Sequence, residues 1–236
     1  MIYVLIDTCT LLQLIDEKGY NKHLLELINL INRNEITFLT HKIILEQWER
    51  NIEKRKKDKQ RKLLYNESKP KKNNSDNLLP SFPITNIDHI EGQIIEIYKL
   101  LRKATLLETF DIILNEFSDR YKKRLAPFHN NLQSQEDWEI IGTACQYCSI
   151  NGIRELYFLS HNHTDFADLV DINKIHPDIQ QRFQKVNIYY FKNYSDFFSQ
   201  YNNILPRDLI PYQIIKNEKF SQKATIRSNV LDSCSR

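Results

Sequence analysis

The chain predicts an α/β fold of three layers, with helices on both faces of a central, mainly parallel sheet, and three observations carry that prediction. Apolar runs without polar alternation occur at Ile2-Tyr-Val-Leu-Ile6 and Leu156-Tyr-Phe-Leu159, the pattern of strands buried on both faces, and Val186 to Phe191 reads as a third strand. Each run ends abruptly in polar residues. Amphipathic helical patterns follow the runs, so strand and helix alternate along the chain as they do when parallel strands are joined by helical crossovers.

The first strand ends at Asp7-Thr8, and a short helix is expected from Thr8 to Asp16. Tyr20 to Asn34 is a second helix, with Leu24, Leu27, Ile28 and Ile31 at helical spacing. Ile36 to Leu39 is a short strand. Thr40 suits the N-cap of a long helix through Ile43, Ile44, Glu46, Gln47 and Trp48 into a basic segment. Lys69 to Thr85, rich in Pro, Asn and Ser, reads as a loop or linker. Helical patterns from Asp88 to Ala104 and on to about Leu125 make the segment from about 50 to 130 a predominantly helical insertion. Ser134-Gln-Glu-Asp137 then resembles a helix N-terminus with Ser134 as cap, and Asn151-Gly152 ends that helix. After the last strand, a helix carries Phe197, Phe198 and Tyr201. Residues 1–200 are thus expected to form one domain with an insertion, and 201–236 an arm or tail.

Composition narrows the function. The 41% hydrophobic and 27% charged residues are those of an ordinary globular protein, and no apolar stretch is long enough to span a bilayer. No basic n-region precedes the first strand, so no signal peptide is expected. Four scattered cysteines, Cys9, Cys145, Cys148 and Cys234, suggest a reduced, cytoplasmic setting. The four glycines are too dispersed to form a phosphate-cradling loop, which argues against a nucleotide-powered or NAD-dependent enzyme. The net charge of +3 conceals a segregation: Arg50 to Lys72 holds eleven Lys/Arg against three Asp/Glu, leaving the remainder acidic. A solvated helix face explains such a run, and so does attraction of a polyanion.

Several acids share one kind of address. Asp7 ends the first strand, and Glu46 lies on the helix after the second. Asp137 opens the helix before the next strand, and Asp165 lies just beyond that strand. Right-handed crossovers between adjacent parallel strands would bring all of them to one sheet edge. Asp7 also suits a simple helix cap. Carboxylates gathered in a dry site need either raised pKa values or bound cations, and oxygen-only ligands suit Mg²⁺ or Mn²⁺.

Strand-Asp7-Thr8, Thr40-His-Lys-Ile-Ile-Leu-Glu46, Glu136-Asp137-Trp-Glu-Ile-Ile-Gly-Thr-Ala144 and Phe-Leu-Ser160-His-Asn162-His-Thr-Asp165-Phe166, in that order, resemble a PIN domain. More narrowly, the chain is similar to the branch with a helical insertion between the second and third acids. The resemblance covers residues 1 to about 200. It implies a nuclease that hydrolyses phosphodiester bonds with one or two Mg²⁺ or Mn²⁺ ions, which activate a water and leave 5′-phosphate and 3′-hydroxyl ends. Carried over to this sequence, it implies Asp7, Glu46 and Asp137 as catalytic, metal-binding acids, with Thr8 supporting the first. The fourth place falls to Asn162 or to Asp165, Asp165 being preferred because it carries charge. Ser160 and Asn162 support the site, and Glu136 and Asp168 stand in reserve. The expected partner is nucleic acid, single-stranded or structured RNA before single-stranded DNA. Phosphate contacts would come from Arg50, Lys54, Arg55, Lys56, Lys57, Lys59, Arg61 and Lys62, with Tyr65 available for stacking. An inhibitor protein or a second copy of the chain are further candidate partners. Toxin, defence effector and RNA-processing factor all suit such a protein.

Rival readings fit less well. A haloacid-dehalogenase-like phosphatase needs an acid where Cys9 stands. A response-regulator-like receiver needs a late strand ending in Lys, which is lacking here. Cys145 and Cys148 have zinc-ligand spacing without a second pair, so buried thiols are expected. The alternative of another class is a PIN-like module that binds RNA or protein without catalysis, and Asn162 is the residue that keeps it open.

Overall fold

Unbroken apolar runs become the centre of the sheet in the computed structural model, which describes residues 1–15, 22–68, 85–130 and 134–204, and the side chains of all of these except 56, 58–68, 85–89 and 202–204. Ile2–Ile6 forms β1 and Glu155–Leu159 forms β4; the two pair in parallel with Leu5 opposite Phe158. Val4, Leu5, Ile6 and Leu156 to Leu159 are all buried, as strands covered on both faces must be. Ile36–His41 forms β2, Thr105–Leu107 β3 and Asn187–Phe191 β5. The order is β3-β2-β1-β4-β5 with every pairing parallel. Helices flank this sheet to give the three-layer α/β/α architecture that the sequence predicts. Connections leave β1 toward β2 on one side and β4 on the other, so the strand order reverses between β1 and β4. The crevice at the carboxyl end of that switch point is where such sheets bind ligands.

The helices are α1 (Thr8–Leu11), which runs into a 3₁₀ turn at Leu12–Leu14, α2 (Lys22–Asn32), α3 (Lys42–Ser68), α4 (Thr85–Lys103), α5 (Asp111–Lys123), α6 (Gln135–Ile150), α7 (His163–Phe166), α8 (Pro177–Arg182) and α9 (Tyr194–Ile204). Residues 1–197 pack as one unit; a second unit comprises 198–236, of which the described residues cover the remainder of α9. The linker expected at 69–85 and the tail expected at 201–236 fall outside the described residues, except for residue 85, which starts α4, and 201–204, which continue α9.

Three local expectations change. β3 lies inside the stretch read as helical and closes one edge of the sheet against β2. Three residues are too few to display a period of two, which is why Thr-Leu-Leu left no strand signal. Thr40 does not cap α3: the strand continues through His41, and the His41 imidazole Nδ1 accepts the Ile43 N–H at 3.3 Å in its place. Ser134 precedes α6 without capping it through its side chain, its hydroxyl being used elsewhere.

α6 is anchored firmly. Trp138 is buried, donates its indole N–H to the Ile113 carbonyl at 3.1 Å, and carries the Arg120 guanidinium 4.0 Å above its ring. Gly142 faces α5 at close range, where an added Cβ would lie 3.0 Å from Ile113 Cγ2. Trp48 of α3 is fully buried with its ring edge-on to Tyr98, a core role rather than a stacking surface. Cys145 and Cys148 are free, buried thiols. Among the described residues no helix is long and apolar enough to cross a membrane.

Candidate active site

At the carboxyl end of β1 the backbone still belongs to the sheet, since the Asp7 N–H donates to the Leu159 carbonyl at 2.9 Å. That fixes Asp7 at the switch point. Its side chain is the N-cap of α1, with Oδ1 accepting the Thr8 N–H at 2.6 Å. Oδ2 accepts the Ser160 hydroxyl at 2.8 Å and the Cys9 thiol at 2.9 Å. Asp7 is therefore both a cap and a member of a polar cluster; the two readings of this residue do not compete. Burial, and then the Asp7 charge, push the Cys9 thiol up to about 12, so it stays a donor.

From β4 the chain turns through Ser160 and Asn162 into α7. Ser160 Oγ accepts the Asn162 N–H at 3.0 Å, which holds the turn against Asp7. The Asn162 amide nitrogen then spans two acids, donating to Asp165 at 2.9 Å and toward Asp137 at 3.4 Å, while its oxygen accepts the Thr164 hydroxyl. Asp165 is buried and also accepts the Ser134 hydroxyl at 3.2 Å. Asp165 and Asn162 thus converge there, one as an acid and one as a neutral donor between acids.

Asp137, in the first turn of α6, completes the group. Burial, followed by the charges of Asp7 and Asp165, pushes its carboxyl up to about 8. Glu136 adds a smaller push in the same direction. The donors described above are all neutral hydroxyl, thiol, carboxamide or backbone groups. No cationic side chain is among the largest causes of the Asp137 shift, and burial with like charge holds its carboxyl partly protonated at neutral pH.

Among the described residues Glu46 has no hydrogen bond to this group. Its side chain is 55% exposed and pairs with Lys42 at 3.4 Å. It lies on the side of His41, whose Nε2 meets the Thr109 hydroxyl at 2.9 Å, which in turn donates to Glu139 at 2.6 Å. Burial lowers the His41 pKa, so this imidazole is the neutral partner in that chain. The residue of α3 that does face the site is its neighbour. Gln47 Oε1 accepts the Thr8 hydroxyl at 2.6 Å, and Gln47 Nε2 donates to Glu136 at 2.7 Å. Sequence reasoning passed over Gln47; a shift of one residue around the helix was the signal available. It also missed the roles of Ser134 and Cys9, short polar residues whose importance is set by backbone turns. Glu136, kept in reserve, enters through Gln47. Asp168 stays apart, its Oδ1 accepting the Val170 and Asp171 N–H groups of its own loop.

Of the basic residues, Arg50 is 3.7 Å from Glu136, and Lys54, Arg55 and Lys57 are exposed, Lys57 pairing with Glu53. The side chains of Lys56, Lys59, Arg61, Lys62 and Tyr65 lie outside the described residues. The described part of α3 thus meets the acid cluster through Gln47 and Arg50, and its next basic residues are exposed.

The donor set fits a divalent cation by charge and by chemistry: carboxylate oxygens only, with a carboxyl that burial and like charge keep from ionising. Among the described residues no group of three or more His, Cys, Asp or Glu side chains is already arranged to hold a metal ion. In comparisons with known proteins, a family model described as PIN domain matches residues 4–166. Curated proteins gave no match, and neither did solved structures.

Proposed function

The chain belongs to the PIN-domain family, whose members are typically nucleases, and we propose that it is a divalent-cation-dependent endonuclease acting on single-stranded RNA and leaving 5′-phosphate and 3′-hydroxyl ends. It belongs on this reading to the branch with a helical insertion, since α4 and the extension of α3 lie between β2 and α6. One observation carries the proposal. Asp137 stands among Asp7 and Asp165 with the Asn162 amide as its donor at 3.4 Å and its carboxyl pushed up to about 8, an arrangement that costs stability and is relieved by a bound cation.

Asp7, Asp137 and Asp165 would hold Mg²⁺ or Mn²⁺, which supplies Lewis acidity for the phosphate and the attacking water. The chain's own residues supply position. Ser160 and Thr8 fix the Asp7 carboxylate from two sides, Ser134 fixes Asp165, and Asn162 keeps Asp165 beside Asp137. Exposed Arg50, Lys54, Arg55 and Lys57 on α3 lead a polyanion toward the switch point. Glu46 has no part in holding the cation on this reading.

The second reading, a PIN-like module without catalysis, draws on Asn162, whose amide already bridges the two acids without a cation. One experiment separates them. Single-stranded RNA and DNA of equal sequence are incubated with Mn²⁺ and either wild type or Asp137→Asn. Cleavage of RNA by the wild type alone supports the nuclease; binding without cleavage in both establishes the module.

A further inference from the structure

We infer that Gln47 is a positioning residue of this site, whose carboxamide sets the separation of the Asp7 and Asp137 carboxylates. The inference rests on the nuclease reading above and names a device that serves it.

The site draws its acids from loops that like charge tends to drive apart. Asp7 stands at the start of α1, and Asp137 in the first turn of α6. Gln47, on α3, touches the immediate neighbour of each: its oxygen takes the Thr8 hydroxyl at 2.6 Å and its nitrogen reaches Glu136 at 2.7 Å. Thr8 is in turn fixed to Asp7 through its own N–H at 2.6 Å. A single planar amide therefore bridges the two acid-bearing helix starts. A carboxamide suits this place because one end accepts from a hydroxyl while the other donates to a carboxylate. A Glu in its place could accept from Thr8 but would oppose Glu136; a Met could do neither. The Glu136 end of this bridge is solvent-exposed, and one turn further along α3 Arg50 reaches the same Glu136 at the longer distance of 3.7 Å.

The test compares Gln47→Glu, Gln47→Met and the exchange Gln47→Glu/Glu136→Gln with wild type and Asp137→Asn. Affinity for Mn²⁺ alone is measured by titration calorimetry, and kcat and KM on single-stranded RNA in parallel. Gln47→Glu is expected to weaken Mn²⁺ binding about tenfold, at the low end for residues that orient metal ligands, and to lower kcat with KM unchanged. The exchange variant restores a donor facing an acceptor with the ends reversed, so it should recover most of that loss. A role in stability alone would lower the melting temperature and leave Mn²⁺ affinity unmoved in Gln47→Glu and Gln47→Met. That result overturns the inference, as does an exchange variant no better than Gln47→Glu. If Asp137→Asn abolishes Mn²⁺ binding while the Gln47 variants keep it, the nuclease reading stands and this inference falls. A wild type that takes up no Mn²⁺ overturns both.

Discussion

Asp7 and Glu46 occupy the same edge of the sheet, one strand apart, and their surroundings differ in nearly every respect. Asp7 is 6% exposed, is tied to the backbone of β4 and accepts from a main-chain N–H, a hydroxyl and a thiol. Glu46 is 55% exposed and has a surface lysine as its ion-pair partner. An address at the carboxyl end of a strand brings a residue to the edge, but the rotation of the following helix decides whether its side chain turns inward. On α3 that rotation presents Gln47. Asp7 has no such freedom, because it is the last residue to follow the strand.

The contrast can be broken most directly at Asp137. Asparagine there should reduce Mn²⁺-dependent cleavage on the order of 10²–10³-fold, the scale for removing one group that acts on developing charge. Next comes the pair Asp165→Asn and Glu46→Gln, assayed side by side. Asp165→Asn should cost about 10–100-fold in Mn²⁺ affinity, and Glu46→Gln less than about threefold. Equal losses would restore Glu46 to the site and erase its difference from Asp7.

A smaller effect sharpens the electrostatic side. Asp137 has a folded-state pKa raised from 3.8 to about 8, so it favours the folded protein fully below about pH 4, and that contribution is lost as pH rises toward 8. In metal-free buffer the melting temperature of wild type should fall by a few degrees across that window, more than that of Asp137→Asn, and added Mn²⁺ should restore it at the alkaline end. A wild-type curve parallel to that of Asp137→Asn would mean the carboxyl ionises freely. The smallest effect concerns α3. Replacing Lys54, Arg55 and Lys57 with Gln should reduce the salt dependence of RNA binding by about 0.7 in log–log slope for each phosphate no longer neutralised. An unchanged slope would leave these lysines and this arginine as solvated surface.

Much of this was legible in the chain. Ile2 to Ile6 and Leu156 to Leu159 announce central strands because burial on both faces removes polar alternation, and the acids after them follow from chain connectivity alone. Asp137 was legible because the apolar helical pattern from Trp138 onward puts it in a helix's first turn. β3 was not, since three residues between helices carry too little pattern. Neither was the contact of Gln47 with Thr8 and Glu136: spacing along a helix fixes which residues share a face, but which face turns toward β1 depends on Trp48 and Ile52 finding the core. The Asn162 amide was invisible for another reason. Its partners lie on two different elements, and only the folded turn brings them together.

The close approach at Gly142 has a bearing on accuracy. A glycine within a helix gives up about 0.5–1 kcal/mol relative to alanine, and here that loss lets α5 come to within methyl distance of the α6 backbone. Ile113 seated on that bare surface fixes the azimuth of α6, and the same Ile113 offers its carbonyl to Trp138. Asp137 lies between those two fixed points and the free end of the helix. The aim of an acid at the ligand edge is thus calibrated about a turn and a half away, by a methyl group that is not there.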